Sequence, residues 1–72
     1  MDIEEFKYWW YREKINNPFQ NCITLDNETK IYADEFEETA SGEIRFFVIP
    51  SGRVVAIVNP NKIKKVRNPD RT

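Results

Sequence analysis

The sequence predicts an α+β fold in which an N-terminal helix is followed by a five-stranded, strongly bent antiparallel sheet. Three observations lead to this prediction. A capped segment with helical spacing of its aromatic residues opens the chain and ends before a proline. Short segments of alternating apolar and polar residues follow, separated by turn residues. The chain of 72 residues is expected to form one domain, residues 1–72. Five strands in so short a chain are expected to curl into a small barrel, because a flat sheet would leave two edges open.

The helix is expected at about residues 2–16. Asp2 is a favourable N-cap residue, and Glu5 three positions later completes a capping box. The first turn carries acidic residues and the last turn basic ones, which suits the helix dipole. Pro18 disfavours helical geometry in the residue before it, so the helix is expected to end there.

Residues 8–11 of this helix are four consecutive aromatic residues, Tyr-Trp-Trp-Tyr. A helix turns by about 100° per residue, so these four rings cannot share one face. One stripe, made of Ile3, Phe6 and Trp10, is the expected contact with the sheet, and Trp9 lies at its edge.

A second stripe lies roughly opposite the first and contains Tyr8, Tyr11 and Ile15, which we call the helix stripe. A helix that packs on one sheet needs only one apolar face. Tyrosine is enriched at binding hot spots because it brings a large contact area at low entropy cost. The helix stripe is therefore a candidate partner-binding surface, and packing in the protein's own core is the alternative for the same residues.

The rest of the chain predicts a barrel over about residues 21–67 and a frayed tail over residues 68–72. It contains a hairpin, residues 44–49 and 53–58, closed by the tight-turn sequence Pro-Ser-Gly at residues 50–52. The polar and acidic residues 37–43 are expected to form a loop. The five expected strands cover residues 22–25, 30–36, 43–49, 53–58 and 63–67.

The composition argues against an enzyme. The chain contains no histidine, so neither a histidine-based catalytic triad nor a histidine metal site can be built. Cys22 is the lone cysteine, and without a histidine to activate it we interpret it as a small packed residue. The two glycines form no phosphate-binding loop. We therefore expect no catalytic residues, no metal site and no cofactor.

The sequence also favours a cytoplasmic protein. The longest apolar run, residues 54–58, is far shorter than the ~20 residues that a membrane span needs. The first residues lack the pattern of a signal peptide, and a single cysteine cannot form an internal disulfide. We therefore expect a cytoplasmic location and no membrane partner.

Charge is distributed unevenly along the chain. Residues 21–43 carry seven acidic residues and one basic residue, whereas residues 44–72 carry seven basic residues and one acidic residue. Within the acidic segment, Glu35, Glu37 and Glu38 are candidates for docking onto a basic protein surface. A solvated strand and loop is the alternative interpretation of these acids.

The basic end of the chain contains a candidate nucleic-acid contact. Lys62, Lys64, Lys65 and Arg67 are close enough in sequence to form a phosphate-binding patch. Exposed aromatic rings beside such a patch are typical of platforms that bind single strands. The alternative is a solvated basic strand edge, which the acidic pI of about 5.4 favours.

The order of these segments resembles a known family. After the capped helix, residues 23–27 (Ile-Thr-Leu-Asp-Asn) turn into a long second strand, a hairpin follows, and residues 59–63 (Asn-Pro-Asn-Lys-Ile) lead into a short last strand. This order is similar to SH3-like small β-barrels of the Sm/Hfq type, although the turn at residues 26–27 lacks the glycine that such chains often carry. The resemblance implies an oligomer that binds single-stranded nucleic acid or a nucleotide. Short barrels with an N-terminal helix also look like accessory proteins of phages and mobile elements.

Three functions are open on these grounds. The first is a small non-enzymatic binding module that docks onto a protein through the helix stripe and the acidic segment, for example a phage or mobile-element inhibitor of a host protein. The second is an Sm-like oligomer that binds single-stranded nucleic acid or a nucleotide through the basic end. The third is a structural subunit that forms a homo-oligomer, with the acidic middle of one copy meeting the basic end of the next.

Overall fold

The computed structural model describes residues 1–15 and 18–68. None of the described helices combines the length and the apolar character that crossing a bilayer requires. In chain order the elements are the helix α1 (Ile3–Lys14), the strands β1 (Asn21–Leu25), β2 (Lys30–Ala33), β3 (Glu35–Glu38), β4 (Ile44–Phe47) and β5 (Val54–Val58), a 3-10 turn (Pro60–Lys62) and the strand β6 (Ile63–Arg67).

The N-terminal helix is confirmed, together with its cap. The side chain of Asp2 accepts a hydrogen bond of 2.8 Å from the backbone N–H of Glu5. The helix ends at Lys14, with Ile15 as its C-cap residue. Residue 16, which the sequence also assigned to the helix, lies outside the described residues.

The strands confirm an antiparallel α+β fold but correct its arrangement. Instead of one five-stranded sheet closed into a barrel, the described chain forms two three-stranded antiparallel sheets. The first sheet has the strand order β2-β1-β6, and the second has the order β3-β4-β5. The loop expected at residues 37–43 begins later than predicted, because Glu37 and Glu38 belong to β3.

A bend at Asp34 explains why the count differs from the prediction. The expected second strand, residues 30–36, divides there into β2 of the first sheet and β3 of the second. The carboxylate of Asp34 accepts hydrogen bonds from the backbone N–H of Ile49 at 2.9 Å and from Nε2 of Gln20 at 3.2 Å. Its backbone N–H donates to the carbonyl of Phe47 at 3.0 Å. These bonds hold the chain at the point where it passes from one sheet to the other.

The core lies between the two sheets and beneath α1. Phe6 and Trp10 are buried, as their stripe predicts, and both rings contact Phe36 and Phe46 at centroid distances of 4.9–5.9 Å. Edge-on and tilted ring pairs of this kind stabilise a fold by roughly 0.5–1.5 kcal/mol each beyond their buried area. The other buried apolar residues of the cluster are Ile23, Ala33, Ile44, Val58, Ile63 and Val66.

A buried polar network joins the helix to the first sheet. Nδ2 of Asn21 donates to the carbonyl of Trp10 at 3.2 Å, and Nδ2 of Asn68 donates to Oδ1 of Asn21 and to the carbonyl of Phe19. Asn68, which the sequence assigned to a frayed tail, is buried, and its backbone N–H donates to Glu13 at 3.0 Å. The remaining tail, residues 69–72, lies outside the described residues.

Three turns carry left-handed backbone, and one of them contains Gly42, with a φ of +87°, between β3 and β4. Gly52 closes the β4–β5 hairpin with a φ of +74°, as the Pro-Ser-Gly sequence predicts, and the Ile49–Pro50 peptide bond is cis. Glu28, in the turn between β1 and β2, has a φ of +70°. That conformation favours glycine, so this turn places a less suitable residue in a left-handed position.

Candidate functional site

The helix stripe is exposed along its whole length. Tyr8, Tyr11 and Ile15 keep 59%, 62% and 76% of their surface accessible, while Phe6 and Trp10 on the opposite face keep at most 2%. Residues three and four apart on a helix are neighbours, so the three exposed side chains form one continuous strip. Of the two interpretations of these residues, exposure agrees with a surface and not with a core contact.

The rings of the helix stripe are held by their neighbours. Nη1 of Arg12 donates a hydrogen bond of 3.2 Å to the hydroxyl of Tyr8, and the Tyr8 ring meets Trp9 edge-on at 5.4 Å. Tyr11 packs against Phe36 of β3 at a centroid distance of 6.0 Å. An open depression of about 500 Å³ lies along the strip, lined by Glu4, Lys7, Tyr8, Tyr11, Arg12 and Ile15.

The three acids predicted to act with the helix stripe are divided between two surfaces. Glu38 lies on the helix side of β3, where it forms an ion pair with Lys7 at 2.5 Å. The hydrogen bond that Lys7 donates to Glu38 raises the pKa of the Lys7 ammonium above its usual 10.5. Glu35 and Glu37 alternate with Phe36 and therefore lie on the outer face of the second sheet, where Glu37 pairs with Arg45. Only Glu38 thus adjoins the helix stripe directly.

The predicted basic set is also spread over more than one environment. Lys62 lies in the 3-10 turn, and Lys64 forms an ion pair with Glu28. Lys65 and Arg67 stand opposite Thr24 and Cys22 of β1, on the outer face of the first sheet. Neither forms an ion pair within residues 1–15 and 18–68.

The outer face of the first sheet contains two further residues that the sequence interpretation missed. Strand pairing places Lys30 beside Thr24 and Tyr32 beside Cys22, so both lie on the same face as Lys65 and Arg67. We call the four residues Lys30, Tyr32, Lys65 and Arg67 the basic sheet face. The alternation of residues 30–33 could have predicted that Tyr32 lies on an outer face. Only the register with β1 shows that Lys65 and Arg67 lie on the same face.

Two bases of the basic sheet face, Lys30 and Lys65, also act on the neighbouring turn residue Glu28. The ion pair with Lys64 lowers the pKa of Glu28, and the positive charges of Lys30 and Lys65 lower it further. On the same face, a hydrogen bond with the Cys22 thiol raises the pKa of the Tyr32 hydroxyl. The face therefore combines a half-exposed aromatic ring with basic side chains.

A third exposed surface lies on the outer side of the second sheet. Ile49, Val54, Val55 and Ile57 are 36–55% exposed there, next to the hairpin turn. Val54, Val55 and Ile57 come from the longest apolar run of the chain, residues 54–58, which the sequence interpretation treated only as a hairpin strand. The continuous apolar run could have predicted this surface, since a strand that is apolar on both faces leaves one apolar face outside the core.

The described residues offer no metal-binding cluster. No group of three histidine, cysteine, aspartate or glutamate side chains within residues 1–15 and 18–68 is placed to hold a metal ion. The Cys22 thiol is buried beneath its neighbours on the first sheet.

Comparisons with family models, with curated proteins and with solved structures find no match to this chain.

Proposed function

We propose that this protein is a small non-enzymatic binding module that docks onto a protein partner through the helix stripe. The observation that carries the proposal is the contrast between the two faces of α1. One face is fully used in the core, and the other presents Tyr8, Tyr11 and Ile15 to solvent at 59–76% exposure. A contiguous apolar surface of this kind, with charged residues around it, is typical of a protein interface.

The charges around the helix stripe suggest the chemistry of the partner. Glu4 lines the depression together with the bases Lys7 and Arg12, and Glu38 lies beside it in its ion pair with Lys7. Glu35 and Glu37 extend the negative charge onto the adjoining outer face of β3. The partner that fits is a protein with an apolar groove for the helix stripe and basic side chains placed to meet the acids of β3. The concrete version is an inhibitor of a host protein carried by a phage or mobile element, acting in the cytoplasm, where the lone Cys22 thiol stays reduced.

The test replaces both rings of the helix stripe. Tyr8→Ala plus Tyr11→Ala is expected to leave the fold intact and to abolish capture of the partner in a pull-down from the native host. The physical reason is that large aromatic side chains provide most of the contact area, and alanine removes it without disturbing Phe6 or Trp10.

The matched control is Tyr32→Ala, which removes a tyrosine of similar exposure, 47%, from the basic sheet face. This variant is expected to capture the partner as well as the wild type does. Equal capture by the double variant and the wild type would exclude the helix stripe as the docking surface.

The resemblance to SH3-like barrels of the Sm/Hfq type remains part of the proposal. The order of the strands supports it, because the last strand, β6, pairs with the first, β1, and a single bent segment, residues 30–38, serves both sheets. A module of this type would use its sheets as a scaffold and its surface for recognition.

A second candidate function is the binding of single-stranded nucleic acid, and the basic sheet face is the observation that favours it. An exposed ring, Tyr32, stands among Lys30, Lys65 and Arg67. A nucleobase stacked on such a ring contributes roughly 1–3 kcal/mol. The lysine and arginine side chains would contact the phosphates.

The second candidate has its own test. A fluorescent oligonucleotide of about ten nucleotides should bind at low salt, weaken as salt rises, and weaken further in the variant Lys65→Ala plus Arg67→Ala. No binding at low salt removes this candidate, and binding that the double variant retains would locate it on another surface.

A further inference from the structure

Four strands lie at the edges of the two sheets, and they differ in charge. The strand orders β2-β1-β6 and β3-β4-β5 give β2, β6, β3 and β5 one neighbouring strand each within the described chain. Charged side chains are the usual protection of an edge against pairing with another chain. β2 carries Lys30, β3 carries three glutamates, and β6 carries Lys64, Lys65 and Arg67. β5, with the sequence Val-Val-Ala-Ile-Val, carries no charge.

The edge of β6 is also closed by the start and the end of α1. The ammonium group of Met1 donates to the carbonyls of Pro60 and Ile63 at 3.3 and 3.1 Å, and the backbone N–H of Asn68 donates to Glu13 at 3.0 Å. β5 lacks such a cover. Across the part of the chain that the structure describes, β5 is hydrogen-bonded to β4 and to no other segment.

The side chains of β5 leave this edge apolar. Val54, Val55 and Ile57 are 48%, 36% and 51% exposed. Valine and isoleucine are enriched in strands, and an uncharged run of them without proline favours pairing with a further strand. A register shift against β4 lies at the start of β5, and such a bulge hinders pairing there. Ala56–Val58 keep a regular register with β4, so this part of the edge is suited to pairing.

We propose that the edge of β5 binds β5 of a second copy of this chain, antiparallel, around a two-fold axis near Ile57. A two-fold axis brings the same patch of both copies together. An identical β5 adds no charge to the apolar edge, whereas β2, β3 or β6 of another copy would place charged side chains beside it. The pairing joins the second sheets of the two copies into one sheet of six strands and covers Ile57 of each.

The acids of the second sheet do not oppose this approach. Glu35 and Glu37 lie on β3, which is the opposite edge of the sheet and is separated from β5 by β4. Neighbouring strands are about 4.8 Å apart, so these carboxylates begin about 10 Å from the strand that pairs. A single strand edge is a small interface, and we expect a dissociation constant in the micromolar range.

The dimer goes beyond the proposed function and does not depend on it, because the helix stripe lies on α1 and the dimer contact on β5. A dimer presents two helix stripes and therefore binds a partner that has two sites more tightly than a monomer does. A cross-link across the axis joins two copies of this chain. Its mass, twice that of the chain, distinguishes it from a contact with the protein partner.

The test is sedimentation equilibrium of the full chain at concentrations from micromolar to millimolar, with the variants Ile57→Glu and Ile57→Lys. The wild type should show a monomer–dimer equilibrium. Each variant alone should weaken the dimer by about tenfold or more, because like charges face each other across the axis. An equimolar mixture of the two variants should restore the dimer, since the facing charges are then opposite. Restoration also shows that both variants are folded.

The matched control is Tyr32→Glu, which adds the same charge at an exposed strand residue. Tyr32 has a similar exposure, 47%, and belongs to β2, an edge strand of the first sheet. This variant should dimerise as the wild type does. Amide hydrogen exchange gives a second measurement, because the amides at the edge of β5 should exchange more slowly at the concentration where the dimer forms.

Four results would overturn the proposal. They are a wild type that stays monomeric at millimolar concentration, equal weakening by Tyr32→Glu and Ile57→Glu, a mixture of the two charged variants that stays monomeric, and an assembly of more than two copies. The last result would mean that β5 pairs with a different strand of its neighbour, since a two-fold contact between two β5 edges closes at two copies.

Discussion

At the scale of single residues, the least expected feature is the burial of Asn21 in a hydrogen-bond network. Asn21 is fully buried, and its amide joins the carbonyl of Trp10 in α1 to the side chain of Asn68 after β6. The helix, the first strand and the end of the last strand therefore meet at one polar side chain. Removing a partner from such a network leaves buried polar groups without hydrogen bonds.

Asn21→Ala is accordingly expected to lower the free energy of unfolding by about 1–3 kcal/mol. Asn61→Ala, at an exposed position of the 3-10 turn, is the matched control and should change it by no more than about 0.5 kcal/mol. Urea unfolding followed by circular dichroism measures both. Equal unfolding midpoints for the two variants would show that the network adds nothing to stability.

The sequence could predict some of these residues and not others. Phe6 and Trp10 were predictable as core because helical spacing places them on one face. Asn21 was not, because an asparagine between a proline and a strand is typical of an exposed turn. Only the three-dimensional position of the Trp10 carbonyl makes its burial favourable.

At the scale of elements, the bend at Asp34 decides the architecture. Residues 30–38 continue as extended chain on both sides of Asp34 but pair with β1 before it and with β4 after it. The alternation of side chains could predict the strands on either side. It could not predict the bend, because that depends on hydrogen bonds with Gln20 and Ile49, both distant in sequence.

Asp34→Ala should loosen this junction. The loss of the carboxylate acceptor is expected to cost about 1 kcal/mol, since the bond from Ile49 is exposed to solvent. Hydrogen exchange should become faster at the amide of Ile49 and stay unchanged in the middle of β1. Asp26→Ala, in an exposed turn, provides the comparison. Unchanged exchange at Ile49 would mean that the bend does not depend on this side chain.

At the scale of the whole molecule, the charge asymmetry of the sequence becomes a division between surfaces. Lys30, Lys65 and Arg67 lie on the outer face of the first sheet, while Glu35 and Glu37 lie on that of the second. The sequence predicted acidic and basic regions. It could not assign Lys30 to the basic surface, because Lys30 lies in the acidic part of the chain and joins Lys65 only through β1.

The candidate site was predictable to the same partial extent. The helix stripe could be predicted from the turn of about 100° per residue in an α-helix, because Tyr8, Tyr11 and Ile15 belong to one short helix and its C-cap. The basic sheet face was not predictable, since it requires knowing which strands pair and in which register. Local periodicity thus identified the surface within one element, and only the packing of elements revealed the surface between two.

The central claim is that the helix stripe, and not a sheet face, contacts the protein partner. The most direct measurement is photo-cross-linking in host cells with a photoreactive amino acid placed at position 11, 32 or 57. These positions report on the helix stripe, the outer face of the first sheet and the outer face of the second. We predict a protein adduct from position 11 that positions 32 and 57 do not give. An adduct from position 32 or 57 without one from position 11 would contradict the claim.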